Sequence, residues 1–337
     1  MKQINTDVLV IGAGPVGLFS VFQLGQLGIK ACVVDCLSQA GGQCSELYPE
    51  KPIYDIPAYP MVTARDLISN LQSQIKPFKP LFLLNQKVEK LMPEKNSFIS
   101  KTSNGISISS KCIFIAAGNG AFGPNKPPLE NIEEFENTSV FYSVTNKENF
   151  SNKNIAIAGG GDSAVDWAIE LSNVAKKIYF IHRRDKLRAA PNSVKKLKDL
   201  TENKNVEMII PYQIDSIKGT NGEISELIVK NLNGQSKTLE VQFFLPFFGL
   251  STELGPISNW GLEIEKKILK VSQSSCQTSQ EGIYGIGDIC DYPGKLKLIL
   301  SGFSEAATAS HHCFKRVFPE KSLHFEYSTT KGINTFS

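Results

Sequence analysis

A buried strand, a glycine-rich turn and a helix occur twice in this chain, 147 residues apart, and this repetition constrains the fold most. In the first copy, residues 7–11 are an apolar run, as expected for a parallel strand buried on both faces. Gly12, Gly14 and Gly17 follow as G-x-G-x-x-G, and the apolar periodicity of residues 18–27 predicts a helix. Together these segments form the beginning of a βαβ unit.

The second copy repeats this order in the middle of the chain. An apolar strand over 154–158 leads into a glycine turn, a helix over 162–174 and a further strand over 177–181. The residues of its turn and helix start, which read G-x-G-x-x-A, include Gly159, Gly161, Asp162, Ser163 and Ala164. Because the offset is far longer than a solenoid repeat, the sequence predicts two nucleotide-binding halves.

The first glycine turn has a mechanical interpretation. The first glycine makes the turn, the second lets a pyrophosphate approach the backbone, and the third lets the helix pack on the strand. The phosphates then meet a helix N-terminus, whose free N–H groups and dipole favour anions. Asp35 ends the next strand 23 residues after Gly12, near the spacing of about 20 expected of a ribose-binding carboxylate. This context favours dinucleotide binding over a strand–turn–helix without a ligand.

Basic residues end the corresponding strand of the second half. His182, Arg183 and Arg184 follow that strand, and Arg188 comes shortly afterwards. Guanidinium groups suit a 2′-phosphate, whereas an acid favours a free 2′-hydroxyl, so this half is predicted to prefer NADPH over NADH. Asp185 complicates this interpretation, and the alternative is a solvated basic turn.

The predicted fold class is α/β, with two Rossmann-like, three-layer dinucleotide-binding domains, one inserted into the other. Gly118 and Gly249 each follow a predicted strand and are interpreted as the crossings between domains. The inserted domain is then 119–246, and the outer domain is discontinuous, comprising 1–118 and 247–337. The further predicted elements are strands over 106–108, 111–117, 224–231 and 242–250 and a last helix over 302–314.

Composition excludes several other classes of protein. Lys and Arg number 36 and Asp and Glu 33, which gives a net charge of +3 and no electrostatic case for nucleic acid. Seven cysteines without any C-x-x-C fit a reducing cytoplasm better than a disulfide scaffold. Residues 8–29 carry no charge, but they hold five glycines and no small-residue cleavage site follows. We therefore expect neither export nor membrane insertion.

Two shorter motifs have less specific interpretations. Gly41 and Gly42 permit close backbone approach and Gln43 offers an amide to a flavin or ribityl edge, although a surface turn has the same composition. Gly287 and Asp288 end a short predicted strand, where the carboxylate either binds a ribityl hydroxyl or forms an Asp turn.

No metal site is expected from the histidines and cysteines. His311, His312 and Cys313 are consecutive, and consecutive residues of a helix diverge, whereas ligands need a spacing of three or four. Cys32 and Cys36 flank the second strand and are interpreted as small hydrophobic residues.

These motifs, in this order, resemble the two-dinucleotide flavoprotein disulfide reductases, and more closely the ferredoxin–NADP reductases of the thioredoxin-reductase-like type. The more specific stretches are LYPEK at 47–51, AGNGAF at 117–122 and KLKLI at 295–299. The resemblance extends over nearly the whole chain. One departure is informative: the region before the second glycine turn, 143–150, has no cysteine where thioredoxin reductases carry C-x-x-C.

The resemblance implies FAD on the outer domain, NADPH on the inserted domain, and a homodimer. Beside Gly12, Gly14 and Gly17, it places Asp35, Gln43 and Asp288 on FAD. It implies that Tyr48 and Tyr327 stack on the two flavin faces, that Val88 and Phe122 line the site, and that Thr329 lies near the reactive flavin edge. It requires no general acid or base.

The function expected from this resemblance is electron transfer between NADPH and ferredoxin or flavodoxin. The alternatives are a thioredoxin-type reductase with atypical thiols and a non-catalytic NADP(H) or redox sensor, because fold alone does not decide function. A flavin monooxygenase is disfavoured, since no histidine-containing fingerprint follows the glycine loops. Lys295 and Lys297 are candidate contacts for an acidic ferredoxin, with solvated lysines as the alternative.

Overall fold

The computed structural model describes residues 3–203, 205–323, 329 and 332–333, and for 121–124, 203 and 250–252 it describes the backbone alone. The chain divides into two compact units. The first comprises Met1–Phe122 with Thr252–Ser337, and the second is Gly123–Ser251. The crossings therefore lie at 122/123 and 251/252, compared with the expected 118/119 and 246/247.

The strands and helices of the described residues are numbered in chain order. The strands are β1 (Gln3–Asn5), β2 (Val8–Ile11), β3 (Ala31–Val34), β4 (Pro52–Ile53), β5 (Val62–Thr63), β6 (Leu81–Leu83), β7 (Val88–Pro93), β8 (Phe98–Thr102), β9 (Ser107–Ser110), β10 (Cys112–Ile115), β11 (Ala121–Pro124), β12 (Asn154–Ala158), β13 (Lys177–Ile181), β14 (Val206–Ile209), β15 (Gln213–Thr220), β16 (Glu223–Lys230), β17 (Ser236–Glu240), β18 (Phe243–Pro246), β19 (Leu250–Glu253), β20 (Ile264–Glu265), β21 (Ile268–Lys270), β22 (Ile283–Gly285) and β23 (Cys290–Asp291). The helices are α1 (Pro15–Gln26), α2 (Gln43–Glu46), α3 (Ala64–Ile75), α4 (Asp162–Leu171), α5 (Pro191–Asn203) and α6 (Ile299–Val317).

The first unit is built on a parallel sheet with the strand order β22-β10-β2-β3-β6. Successive residues of β2 serve opposite faces: Val8 and Val10 pack in one buried cluster with α1, α3 and α6, whereas Leu9 and Ile11 pack in another. The second cluster includes residues of the β1-β9-β8-β7 sheet. The parallel sheet is therefore the middle of three layers. This agrees with the apolar residue at every position of β2, which a strand covered on both faces needs.

The second unit has the same plan with a shorter sheet. Its parallel strands are in the order β14-β13-β12-β18. Ile155 and Ile157 of β12 pack with α4 and α5, whereas Ala156 and Ala158 face the antiparallel β15-β16-β17 sheet. Both units therefore have the predicted fold class, a Rossmann-like, three-layer α/β structure.

The two chain crossings, β11 and β19, pair with each other as a two-stranded sheet. The strand predicted over 242–250 is wrong as one element, because the chain leaves β18 at Pro246 and Gly249 adopts a φ of +84° before β19. A left-handed residue of this kind interrupts a strand, and glycine adopts it without steric cost.

Several other boundaries differ from those expected. Helix α1 begins at Pro15 and not at residue 18, because proline is well suited to the first turn of a helix. Helix α6 extends over Ile299–Val317, longer than predicted on both sides. None of the helices in the described part of the chain combines the length and the apolar character that a membrane span requires.

Candidate functional site

The first glycine turn joins the carboxyl end of β2 to α1. Gly12 has a φ of +109°, and a Cβ there would lie 2.3 Å from the carbonyl oxygen of Ala116. A Cβ on Gly17 would lie 2.0 Å from the carbonyl oxygen of Gly12, so the helix can approach the strand only without a side chain. Gly14 faces open space and precedes α1 without a side-chain cap. The turn therefore presents uncapped helix N–H groups beside a space at Gly14, which suits a pyrophosphate.

Asp35 supports this turn by accepting hydrogen bonds from its backbone. Its side chain is 7% exposed. One carboxylate oxygen accepts the backbone N–H of Ala13 at 2.6 Å and the other accepts that of Leu37 at 2.8 Å. Burial raises the pKa of the Asp35 carboxyl, and the two backbone N–H groups act in the opposite direction. The structure thus assigns Asp35 a role in holding the loop, and its contact with a ribose stays a prediction.

The Gly41–Gly42–Gln43 motif lies against the same turn. The N–H of Gly41 donates to the carbonyl oxygen of Ala13 at 2.8 Å. A Cβ on Gly42 would lie 3.1 Å from Cα of Gly14. The side-chain nitrogen of Gln43 lies 3.4 Å from the Cβ position of Gly118, which follows β10. Segments after three neighbouring parallel strands therefore converge near Gly14, where open α/β sheets bind their ligands.

Tyr48 and Cys44 form a partly buried pair beside this point. The Cys44 thiol donates to the Tyr48 hydroxyl at a sulfur–oxygen distance of 3.7 Å. Burial raises the pKa of the Tyr48 phenol, and the charges of Cys44, Asp288 and Asp55 add to this effect. The phenol therefore stays protonated at neutral pH. The charge of Asp288 also raises the pKa of Cys44.

Asp288 is carried on a short turn after β22. The preceding Gly287 has a φ of +78° and is buried, while Asp288 itself is partly exposed. The Cβ positions of Gly287 and Gly302 lie 3.4 Å and 2.3 Å from the Val16 side chain, near the start of α1. The Gly287–Asp288 turn is thus packed against the N-terminal end of α1, which directly follows the first glycine turn.

For the remaining predicted flavin contacts, the structure gives less direct information about their position near the first glycine turn. Val88 is 3% exposed and packs in the core, two residues after Gln86, whose N–H donates to the carbonyl oxygen of Asp35 at 3.1 Å. Phe122 belongs to β11, but its side chain is outside the described atoms. Thr329 is exposed, and Tyr327 lies outside the described residues. Their roles toward a flavin stay predictions.

The second glycine turn joins β12 to α4 in the other unit. Gly161 faces open space and precedes α4 without a side-chain cap, as Gly14 does before α1. A Cβ on Gly159 would lie 2.7 Å from the carbonyl oxygen of Phe247 and 2.7 Å from Cβ of Ala164. Asp162 and Ser163 are exposed and Ala164 is buried, so the first turn of α4 presents its polar residues outward.

The arginine segment is tied to this turn by two hydrogen bonds. The N–H of Arg188 donates to the carbonyl oxygen of Gly160 at 2.7 Å, and the N–H of Ala190 donates to the Asp162 carboxylate at 2.8 Å. Arg183, Arg184 and Arg188 are all exposed. The backbone of the arginine segment is therefore tied to the second glycine turn and to the first residue of α4, and its three arginine side chains are exposed.

Within this segment, the contact that His182 makes was not predicted from the sequence. A Cβ on Gly160 would lie 2.2 Å from the imidazole ring, so the second glycine of G-G-G is needed for the ring to pack. Its Nε2 is buried and has no hydrogen-bond partner among the described residues. Burial chiefly lowers the pKa of His182, and the charges of Arg188, Arg183 and Arg184 lower it further.

Two interpretations of individual residues need correction. The Lys295 side chain is only 2% exposed and pairs with the buried Glu305, so it is wrong as a docking contact, whereas Lys297 is exposed. Cys32 is buried as expected, but Cys36 is exposed. All seven cysteines are free.

The three consecutive residues His311, His312 and Cys313 have separate partners. Nδ1 of His311 lies 3.0 Å from the carbonyl oxygen of Ala307, and Nδ1 of His312 lies 2.9 Å from the Tyr284 hydroxyl. In the part of the chain that the structure describes, no cluster of three or more potential ligands is arranged for a metal.

A family model described as pyridine nucleotide-disulphide oxidoreductase matches residues 6–312. The chain belongs to this family. The membership predicted from the motifs is confirmed, and the chain is an oxidoreductase. Within the family, a ferredoxin–NADP reductase from Rickettsia bellii (strain OSU 85-389) is 57% identical over 327 residues, which cover 97% of this chain and 98% of the relative. A ferredoxin–NADP reductase from Rickettsia canadensis (strain McKiel) is 56% identical and covers 97% of each chain.

Solved structures of similar architecture include two thioredoxin reductases. The Lactococcus lactis enzyme has a TM-score of 0.77 at 22% identity, covering 93% of this chain and 99% of that one. The T. acidophilum enzyme has a TM-score of 0.78 at 19% identity, covering 92% and 98%. At these identities the likeness shows the fold, and the predicted two-domain α/β class is confirmed.

Proposed function

We propose that this family member carries electrons between NADPH and ferredoxin through a bound FAD. The observation that carries the proposal is the pair of glycine turns: each opens at an uncapped helix, but one is backed by a buried acid and the other by exposed arginines. The full-length relatives named ferredoxin–NADP reductase support the same assignment.

The unit of Met1–Phe122 and Thr252–Ser337 is proposed to hold FAD. The space at Gly14, bounded by Gly42 and by the Gln43 side chain near Gly118, fits a group that approaches the backbone closely. Asp35 holds the loop from behind this space, while Asp288 accepts a ribityl hydroxyl and Tyr48 stacks on the isoalloxazine. Val88, Phe122, Tyr327 and Thr329 are the further proposed contacts.

The unit Gly123–Ser251 is proposed to hold NADPH. Gly161 leaves room for the pyrophosphate, and the first N–H groups of α4 point toward it. Arg183, Arg184 and Arg188 supply forked, charge-assisted hydrogen bonds to a 2′-phosphate. The Asp162 carboxylate accepts the N–H of Ala190 and so holds the arginine segment in place.

The protein's own residues need only bind and orient. FAD, held by the Gly14 turn, Asp288 and Tyr48, would supply the redox chemistry there, namely hydride uptake from NADPH and one-electron transfer to an acceptor. Tyr48 presents an aromatic face, and its burial keeps the phenol neutral, so it takes no proton in the reaction. No side chain is assigned as general acid or base.

A disulfide reductase is not favoured by the thiols. The sequence contains no C-x-x-C, and six of the seven cysteines are buried. Burial raises the pKa of Cys44 to about 11 and that of Cys32 to about 12. A thiol needs a lowered pKa to be a good nucleophile near neutral pH, so these residues are inert by that criterion.

The finer properties complete the proposal. Flavodoxin is a second acceptor class, the working form is a homodimer, and the location is the cytoplasm, which the seven free thiols support. The exposed Lys297 is the remaining candidate for contact with an acidic acceptor. Such a contact weakens as salt is raised, because exposed charges are screened.

Acceptor choice tests the proposal. Purified protein is supplied with NADPH, and reduction of ferredoxin, flavodoxin and thioredoxin is followed in parallel. We expect fast reduction of ferredoxin and none of thioredoxin. Turnover of thioredoxin, or bound flavin that NADPH reduces without any passage to ferredoxin, would contradict the assignment.

A further inference from the structure

A charged pair, Glu305 and Lys295, is buried in the first unit. The two side chains are 4% and 2% exposed, and they contact each other directly. Glu305 lies on α6, and Lys295 lies in the segment between β23 and α6. A buried ion pair is weak evidence for stability, since well-packed apolar residues of similar size often serve as well or better. The pair therefore needs another explanation.

Four donors surround the Glu305 carboxylate. Oε2 accepts the N–H of Gly287 at 2.7 Å and also receives the Cys290 thiol at 3.7 Å. Oε1 accepts the hydroxyl of Tyr292 at 2.7 Å and the ammonium of Lys295. Both carboxylate oxygens are therefore engaged and the group is held in one orientation, although the Cys290 thiol lies closer, at 3.3 Å, to the carbonyl oxygen of Gly287.

A tight turn brings two of these donors to one oxygen. The segment reads Tyr292, Pro293, Gly294 and Lys295, and the N–H of Lys295 donates to the carbonyl oxygen of Tyr292 at 3.0 Å. Gly294 has a φ of +81°. Proline at the second position and left-handed glycine at the third are the signature of a type II turn. The local sequence thus presets the geometry in which Tyr292 and Lys295 meet Glu305.

The other oxygen holds the residue before Asp288. Gly287 presents its N–H to Glu305, and Asp288 follows, partly exposed, without a hydrogen bond or ion pair to any described residue. Gly287 also packs on Val16 at the start of α1. The position of the Asp288 carboxylate is therefore determined through Gly287, and Glu305 is the side chain that fixes Gly287.

We propose that Glu305, neutralised by Lys295 and braced by Tyr292, is a positioning residue that holds the Gly287–Asp288 turn so that Asp288 meets the ribityl chain of FAD. This inference rests on the proposed function. A carboxylate is needed because a charge-assisted hydrogen bond holds the Gly287 N–H more firmly than a neutral one. Lys295 is needed because an unpaired second carboxylate would repel Asp288 across a medium of low dielectric.

A double-mutant cycle on FAD affinity tests this role. The folded apoprotein is titrated with FAD, and the dissociation constant is obtained from quenching of flavin fluorescence for wild type, Glu305→Gln, Asp288→Asn and the double variant. We expect Glu305→Gln to raise the dissociation constant roughly ten- to a hundred-fold, the range for hydrogen bonds to charged groups. In the Asp288→Asn background the same change should have little further effect, because Glu305 acts through Asp288.

Two further variants keep the test decisive. Lys315→Met removes an exposed charge from α6, the helix that carries Glu305, and should leave the FAD dissociation constant unchanged. If Glu305→Gln does not fold, Tyr292→Phe replaces it in the cycle, with an effect of a few-fold that also disappears beside Asp288→Asn.

The outcomes separate this inference from the proposed function. Equal fold-changes in both Asp288 backgrounds would mean that Glu305 merely stabilises the unit, and would overturn the positioning role while ferredoxin reduction stands. A wild-type protein that binds no FAD would overturn both. If the double-mutant cycle gives the expected result but the wild-type protein does not reduce ferredoxin, the proposed function alone is overturned.

Discussion

The two glycine turns have the same backbone plan but differ in what stands behind them. Gly14 and Gly161 both face open space before an uncapped helix. Behind the first turn, Asp35 points inward and spends both carboxylate oxygens on backbone N–H groups. Beside the second, Arg183 and Arg184 point outward into solvent. In the proposed assignment the pyrophosphate site is a property of the shared turn, and we expect the distinction between the two nucleotides to come from the end of the next strand.

A second difference lies in how closely helix and strand approach. At the third motif position the first turn has Gly17, whose added Cβ would lie 2.0 Å from the carbonyl oxygen of Gly12. The second turn has Ala164, and its methyl group is accommodated and buried. The same motif therefore tolerates a side chain in one unit and excludes it in the other.

Exchanging these two residues has the largest expected effect. Gly17→Ala drives a methyl group into a backbone carbonyl, so we expect about 3 kcal/mol or more of destabilisation and loss of bound FAD. Ala164→Gly, its matched control, removes one buried methyl from a helix and should cost about 1 kcal/mol. Denaturant unfolding and flavin content measure both. Equal costs would show that the two turns pack alike.

Removing the outward charges should change nucleotide choice and not affinity in general. Arg183→Ala with Arg184→Ala should raise the dissociation constant of NADPH at least about ten-fold, because hydrogen bonds to charged groups contribute about 1.5–3 kcal/mol. NADH binding should hardly change. Lys186→Ala removes a neighbouring exposed charge and should have little effect on either. Calorimetric titration with both nucleotides decides, and parallel weakening would contradict the 2′-phosphate assignment.

Removing the inward charge should loosen the first turn. Asp35→Asn keeps the shape but replaces one charged acceptor by an amide donor facing the N–H of Ala13 or Leu37. We expect FAD to bind roughly ten-fold more weakly, corresponding to about 1.4 kcal/mol. Ser69→Ala, an exposed position on α3 of the same unit, serves as the control. If FAD affinity is unchanged, the carboxylate contributes nothing to the loop.

The smallest expected effect is a pH dependence confined to the second unit. The pKa of His182 is lowered from its ordinary 6.5, so the folded state favours neutral imidazole. As the pH falls below about 6.5 the unfolded chain takes up this proton first, and the unit loses stability until the pH passes the folded pKa. His182→Gln should remove this part of the decline. Unfolding curves between pH 8 and about 5 show it, and an unaltered pH profile in the variant would exclude His182 as the cause.

The sequence was sufficient for the features that depend on local pattern. The apolar runs predicted β12 and β13 to the residue, because each is buried on both faces. Helix α3 was not predicted, although Thr63 caps it by accepting the N–H of Asp66 at 3.1 Å and its buried residues recur at helical spacing. That signal is in the sequence, in the pattern of a capping box.

Other features could not be predicted because they depend on long-range contacts. Lys295 reads as an exposed lysine beside Lys297, and only the fold brings Glu305 of α6 under it. Asp35 has the spacing of a ribose ligand, but its hydrogen bond to Ala13 needs the loop of another segment. Sequence reasoning identified which residue types carry the chemistry, whereas the division between binding and bracing roles required the packed structure.

The most direct test of the account is single-turnover reduction of the bound flavin. Oxidised protein is mixed without oxygen against NADPH or NADH at equal concentrations, and flavin absorbance is followed in a stopped-flow instrument. We expect rapid and complete bleaching by NADPH, with much slower bleaching by NADH at concentrations below saturation. Equal rates with the two nucleotides, or no bleaching of a bound flavin, would contradict the claim that one unit holds FAD and the other selects NADPH.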